Sequence, residues 1–235
     1  MANRDLSLTE RNEEVRDKQQ IIPVVSFSLA QIKDHFEQSI LSITSQYEVA
    51  DSLLGQGKTD ACKDIWRSQI VFAESSLDFY IHELSQYAMM QIFKGNWSKT
   101  TKYKKFLVPM SVLEEGIKHP ESNDWFEEFL NQRFSREVYL SHDSMREQMN
   151  LLGLNLTNIF ETAFPKVEGA DIPYRSGAKI VGDLFSRRNQ IAHQSDRAHT
   201  NAEKNEITKE FVQQSITEVC TLVGAMHNAA IAADT

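Results

Sequence analysis

Residues 66–84, WRSQIVFAESSLDFYIHEL, place Trp66, Ile70, Ala73, Leu77, Ile81 and Leu84 at steps of three and four. That spacing draws one stripe along an α-helix and does not fit the period of two of a strand. The stripe runs on through Ala88 and Ile92 to Gly95-Asn96, where a glycine can close the helix in the left-handed conformation. Thr59 and Asp60 offer N-cap chemistry at its start. A helix of this length, with one apolar stripe, needs other helices to cover it.

The flanking sequence supplies them. From Leu29 to Leu54, Ile32, Phe36, Ile40, Ile43, Tyr47 and Leu54 form a second stripe, ended by Gly55 and Gly57. The short glycine-containing link predicts an antiparallel hairpin of the two helices. A third helix is expected from Ser176 or Gly177 to at least His193. A fourth carries Ile207, Phe211, Ile216, Val219, Val223 and Met226. Between them, residues 107–172 divide into short helical pieces around Val112–Ile117, Asp124–Leu140, Met145–Leu152 and Asn155–Phe164, separated by Pro109, Pro120 and Gly153. Ser141 is placed to cap the third piece. The expectation is an all-α bundle of four longer helices with a short-helix insertion over 107–172. It forms a single domain over 21–235 behind a frayed arm at 1–20, with Ile21–Phe27 as a packed extended lead-in.

Composition fits this reading. The chain has 235 residues, few glycines and prolines (9 and 5), and a net charge of −8. Such an acidic balance argues against a protein that simply coats nucleic acid, because phosphate binding relies on Lys and Arg. It leaves room for a local basic site. Cys62 and Cys220 lie in helical patterns with no ligand-like spacing, as expected of reduced core thiols in a cytosolic, cytoplasmic protein. The N-terminal stretch is polar and mixed in charge, unlike a signal peptide. No apolar run is expected to approach a bilayer's thickness, so no membrane partner is expected. The seven histidines show no metal-ligand spacing, and neither a metal nor another cofactor is expected.

The densest polar chemistry lies in Asp183–Arg197, DLFSRRNQIAHQSDR. Ile180, Leu184 and Ile191 share one helix face, which must be core. Asn189 and His193 are four apart and so are neighbours on a more exposed face. Arg188 lies between the faces, where its stem can pack while its guanidinium swings toward Asn189 and His193. Asp196 and Arg197 extend the same line if the helix continues. A histidine can take or give a proton near neutral pH, an arginine offers a permanently charged fork to phosphate oxygens, and an asparagine can orient either. The three together suit cleavage of an RNA phosphodiester. The bare spacing is weak, since Arg136 and His142 in the same chain also satisfy Arg-x5-His. An ordinary reading of 188–193 is a structural arginine and a helix-terminal histidine favoured by the helix dipole.

Two further features border this one. Glu74 and Asp78 sit one turn apart beside the stripe of the 66–84 helix; they are either solvated acids or a pair facing the arginine-rich segment. Lys94–Phe106, KGNWSKTTKYKKF, holds five lysines and no acid. It is either a solvated loop or a basic lip in which Lys102, Lys104 and Lys105 attract RNA backbone while Trp97 and Tyr103 offer stacking surfaces.

The string RRNQIAH at 187–193 resembles the R-N-x3-H form of the motif of the HEPN superfamily, a group of all-α domains. Residues 66–84 resemble the long second helix of its RiboL-PSP-associated branch, and DSMREQMNLLGLN at 143–155 resembles the stretch before the motif helix. The resemblance implies a HEPN-like bundle and a metal-independent endoribonuclease with Arg188 and His193 catalytic and Asn189 beside them. The products would carry 2′,3′-cyclic phosphate and 5′-hydroxyl ends. Arg187, Asp196 and Arg197 would support the triad or contact RNA, and Glu74, Asp78, Lys102, Lys104 and Lys105 are the remaining candidates for either role. The resemblance also implies a homodimer with facing motifs, and a setting in toxin–antitoxin pairs or anti-phage defence with an antitoxin or defence-system partner. Some such domains are non-catalytic scaffolds, or partners of a nucleotidyltransferase antitoxin, and this is the alternative reading.

Overall fold

Ser28 begins the first helix with a reciprocal cap. Its hydroxyl accepts from the Gln31 amide, and the Gln31 side chain accepts from the Ser28 amide. Helix α1 then runs over Leu29–Gly55, and α2 follows over Thr59–Lys94. The computed structural model describes residues 26–166, 174–198 and 200–234. The arm expected at 1–20, most of the lead-in at 21–27 and the end of the 107–172 segment lie outside them.

The two stripes read from the sequence meet as expected, and α1 and α2 share the most extensive interface in the fold. Gly95 closes α2 at φ 84°. The N-cap of α2 is a correction: it is Lys58, without a side-chain cap, and Thr59 is already the first helical residue. At the end of α1 the cap falls on Gln56, and Gly57 supplies the left-handed turn at φ 75°.

The short helices are α3 (Met110–Lys118), α4 (Asp124–Phe134), α5 (His142–Leu152) and α6 (Leu156–Ala163). Ser141 caps α5 and Asn155 caps α6, each accepting from the amide three residues on. The single helix expected over Asp124–Leu140 stops at Phe134. The reason lies in the Tyr139 amide, which donates to Asp78 Oδ1 at 2.7 Å and so bonds across to α2 instead of along its own chain. Helices α7 (Gly177–Gln194) and α8 (Lys209–Ala233) complete the bundle. Ser176 caps α7 through the Lys179 amide.

Helix α2 is the axis of the fold. It contacts α1, α4, α5, α7 and α8, and its buried residues run from Cys62 to Ile92. Around it lie a large apolar cluster at the α4–α6 end and a smaller one, with Ile43, Trp66, Ile70 and Val212, at the α1–α2 turn. Helix α8 amends two expectations. Phe211 is 39% exposed and Val212 takes its place in the core. The 25-residue helix is also long and apolar enough, by length and composition, to cross a membrane, although no such run was expected. Its apolar side is occupied by α1, α2 and α6. Cys62 is buried, Cys220 is half-buried, and both are free.

Candidate active site

Helix α7 brings the sequence motif to its last turn. Ile180, Val181 and Leu184 are buried against the core, which turns the opposite side of the helix outward. His193 lies on that side and is exposed, while Arg188 and Asn189 are half-buried. Arg188 Nη1 donates to Asn189 Oδ1 at 3.1 Å and lies 3.3 Å from His193 Nε2. A guanidinium has donors only, so in this contact Nε2 is the lone-pair nitrogen. The three side chains thus meet at one helix end, with an imidazole nitrogen beside a permanently charged guanidinium.

The helix does not carry the line onward to Asp196 and Arg197. Ser195 and Asp196 take φ 53° and 56°, and the chain reverses. The reversal is corrective for Asp196, which becomes wholly buried on a different side from His193. There its carboxylate accepts from Arg67 Nε at 2.6 Å, from both terminal nitrogens of Arg187, and from Asn205 Nδ2 at 3.1 Å. Burial alone would raise the Asp196 pKa. The hydrogen bonds from Arg187, Arg67 and Asn205 and the charge of Arg187 outweigh it and hold the carboxyl below its ordinary range.

This knot fixes the motif helix to the start of α2. Arg67 also reaches Asp64 at 3.1 Å and the Asn205 carbonyl at 2.8 Å, and Lys204 reaches Asp64 at 2.8 Å. An antiparallel bridge between Arg197 and Lys204 closes the loop, and Arg197 Nη1 donates to the Ala202 carbonyl at 2.5 Å. Arg187 and Asp196 therefore sit behind the exposed trio, and Arg197 lies on the surface of the adjoining loop.

Glu74 is shut off from solvent, and Asp78 is partly so. Glu74 is 2% exposed, and its pKa is pushed up to about 8 by burial; the charge of Arg188 pulls it down and that of Asp78 pushes it further up. It lies on α2, which packs against the motif helix, within electrostatic reach of Arg188. Asp78 is half-buried and spends Oδ1 on the Tyr139 amide.

The lysine-rich segment lies elsewhere. It follows the C-terminal end of α2, whereas the motif is tied to Arg67 near the N-terminal end, a separation of about 40 Å along the helix. Lys102 pairs with Glu147, and Lys104 and Lys105 are exposed. Trp97 is 5% exposed and donates to Asp234 Oδ1 at 2.9 Å, so it offers no stacking surface. Within one chain, these lysines and the motif are not brought together.

Arg67 and Asn205 were not singled out from the sequence. Asn205 carries no signal of its own. Arg67 carries a faint one, since it stands two helical turns before Glu74 on the same side of the helix and directly beside the stripe residue Trp66. Among the described residues, no three His, Cys, Asp or Glu side chains are grouped to hold a metal ion.

A family model described as RiboL-PSP-HEPN matches residues 37–232. Comparison with curated proteins and with solved structures finds no match.

Proposed function

The chain belongs to the RiboL-PSP-HEPN family, and from that footing we propose that it is a metal-independent endoribonuclease acting through Arg188, Asn189 and His193. Membership supports a nuclease or RNA-related role. The observation that carries the finer reading is the 3.3 Å approach of Arg188 Nη1 to His193 Nε2 at an exposed helix end. In this reading Nε2 takes the proton of a ribose 2′-hydroxyl, and the freed oxygen attacks the adjacent phosphorus. Arg188 offsets the negative charge that gathers on the phosphate oxygens. Asn189 holds the guanidinium in register. The bond to the 5′-oxygen breaks, leaving 2′,3′-cyclic phosphate and 5′-hydroxyl ends.

The same step needs a proton for the departing 5′-oxygen. Each motif exposes one histidine, so a second copy of the chain is proposed to bring a second Arg188–His193 pair to the same phosphate. Two motifs converging would also concentrate positive charge on a chain of net −8. A toxin or anti-phage defence role in the cytoplasm, restrained by an antitoxin or another defence-system protein, is the corresponding biological proposal.

The test is cleavage of a mixed RNA pool in buffer containing EDTA. Arg188→Ala and His193→Ala should each lower the rate by about 10²–10⁴-fold while the fold stays intact by circular dichroism. Undiminished cleavage by both variants would sink the mechanism. A fully active wild type that light scattering finds monomeric would sink the shared site.

A further inference from the structure

Two polar atoms beneath the motif have no hydrogen-bond partner: Glu74 Oε1 on α2 and Arg188 Nε on α7, both buried. They belong to helices that pack together, with Arg67 of α2 bonded to Asp196 at the end of α7, two turns from Glu74. Arg188 spends its outer nitrogen Nη1 on Asn189 and His193, at the surface. Its inner nitrogen faces the interior with nothing to donate to. A buried donor and a buried carboxyl oxygen, both unsatisfied, are costly states, and such states persist where function uses them.

We propose that Glu74 is a positioning residue whose protonation state decides whether Arg188 presents its charge outward to a phosphodiester or inward to the protein. The inference rests on the ribonuclease reading in one respect, that Arg188 is the group that meets phosphate. A neutral Glu74 leaves the guanidinium uncompensated, and its charge is available at the surface. An ionised Glu74 offers an anion to Nε, draws the side chain inward and neutralises it locally.

The charges acting on Glu74 set where the change occurs. Burial disfavours the carboxylate, Arg188 across from α7 favours it, and Asp78 one turn along α2 disfavours it, which places the midpoint at about 8. A phosphodiester bound at Arg188 engages the charge that favours Glu74 ionisation, so binding and Glu74 protonation reinforce one another.

The experiment measures binding of a 2′-O-methyl oligoribonucleotide, which lacks the 2′-hydroxyl that the reaction needs. Fluorescence anisotropy is read at fixed ionic strength from about pH 7.5 to 9.5, above the range in which a histidine ordinarily changes charge, so that Glu74 is the group under test. Wild-type affinity is expected to fall as pH rises through about 8, with a steepest slope approaching tenfold per pH unit, the limit for one linked proton. Glu74→Gln should give a flat profile over the same range. Arg188→Ala should be weak and flat although it keeps Glu74, and this comparison decides the matter if the Gln variant does not fold. A flat wild-type profile, or slopes in either variant parallel to wild type, would overturn the inference. Cleavage by Arg188→Ala and His193→Ala tests the ribonuclease reading separately, so each can fail while the other stands.

Discussion

Arg67 and Asp196 stand 129 residues apart in the chain and meet at 2.6 Å, Nε to Oδ2, in a site where Asp196 has no exposed surface. Arg187 closes on the same carboxylate from α7. Removing the anion would leave the half-buried Arg187 guanidinium without a counter-charge and the buried Arg67 with only Asp64, at 3.1 Å. Asp196→Asn keeps the shape and tolerates the left-handed backbone, so it isolates the charge. It should cost about 3–5 kcal/mol in urea unfolding. Because the folded-state pKa of Asp196 lies below its unfolded value, the wild-type advantage is present above the ordinary carboxylate range. It should fade as pH falls through the lower, folded value. A variant as stable as wild type at pH 7 would show that the knot contributes nothing.

Glu74 gives the opposite pH dependence. Its carboxyl moves from 4.5 unfolded to about 8 folded, so the folded chain holds a proton that the unfolded chain releases. The penalty is absent below 4.5, grows by roughly 1.4 kcal/mol per pH unit between the two values, and is constant above the upper one. The melting temperature of Glu74→Gln should thus gain on wild type between pH 5 and pH 8. A gap that stays constant across that range would refute the assignment.

Ser195 ends α7 in the left-handed conformation at φ 53°, where glycine is the usual residue. Ser195→Gly should raise stability by about 0.5–1 kcal/mol, since relief of the strained backbone exceeds the added freedom of the unfolded chain. Thermal melts of the two proteins decide it, and a lower melting temperature in the variant would contradict it.

Gly177 opens α7 directly against Phe160 of α6. A Cβ at this position would fall inside the contact distance of Phe160 Cβ, Cγ and Cδ1. Gly177→Ala should therefore destabilise by about 1–3 kcal/mol, despite alanine's better helix propensity. If alanine stabilises the protein, α6 and α7 do not approach as closely as described.

Much of this architecture could be read from the sequence because apolar stripes at steps of three and four have one physical solution. Trp66, Ile70, Ala73 and Leu77 required a helix, and the helix required cover. The trio was legible for the same reason: Asn189 and His193 fall on the side that Ile180 and Leu184 leave free, and Arg188 lies between the two sides. What escaped the sequence depends on contacts across the chain. Nothing near Phe134 announces that the Tyr139 amide will bond to Asp78 and end α4 early. No glycine marks Ser195–Asp196 as a reversal, so a line of side chains drawn through His193 continues to Asp196 when the backbone does not. Whether Glu74 is wet or dry was undecidable until α7 was laid over it. Trp97 looked like a free ring beside lysines because its partner, Asp234, comes from the far end of the chain.

The last turn of a helix ordinarily frays, opening and closing with little regard for the rest of the protein. In α7 that turn carries His193, and the loop after it is stapled to α2 through Asp196, Arg67 and Asn205. Amide hydrogens at the end of α7 should therefore exchange with solvent at close to the rate of the α2 core, and Asp196→Asn should release them selectively. The histidine would then owe its steadiness to a carboxylate that never meets the substrate.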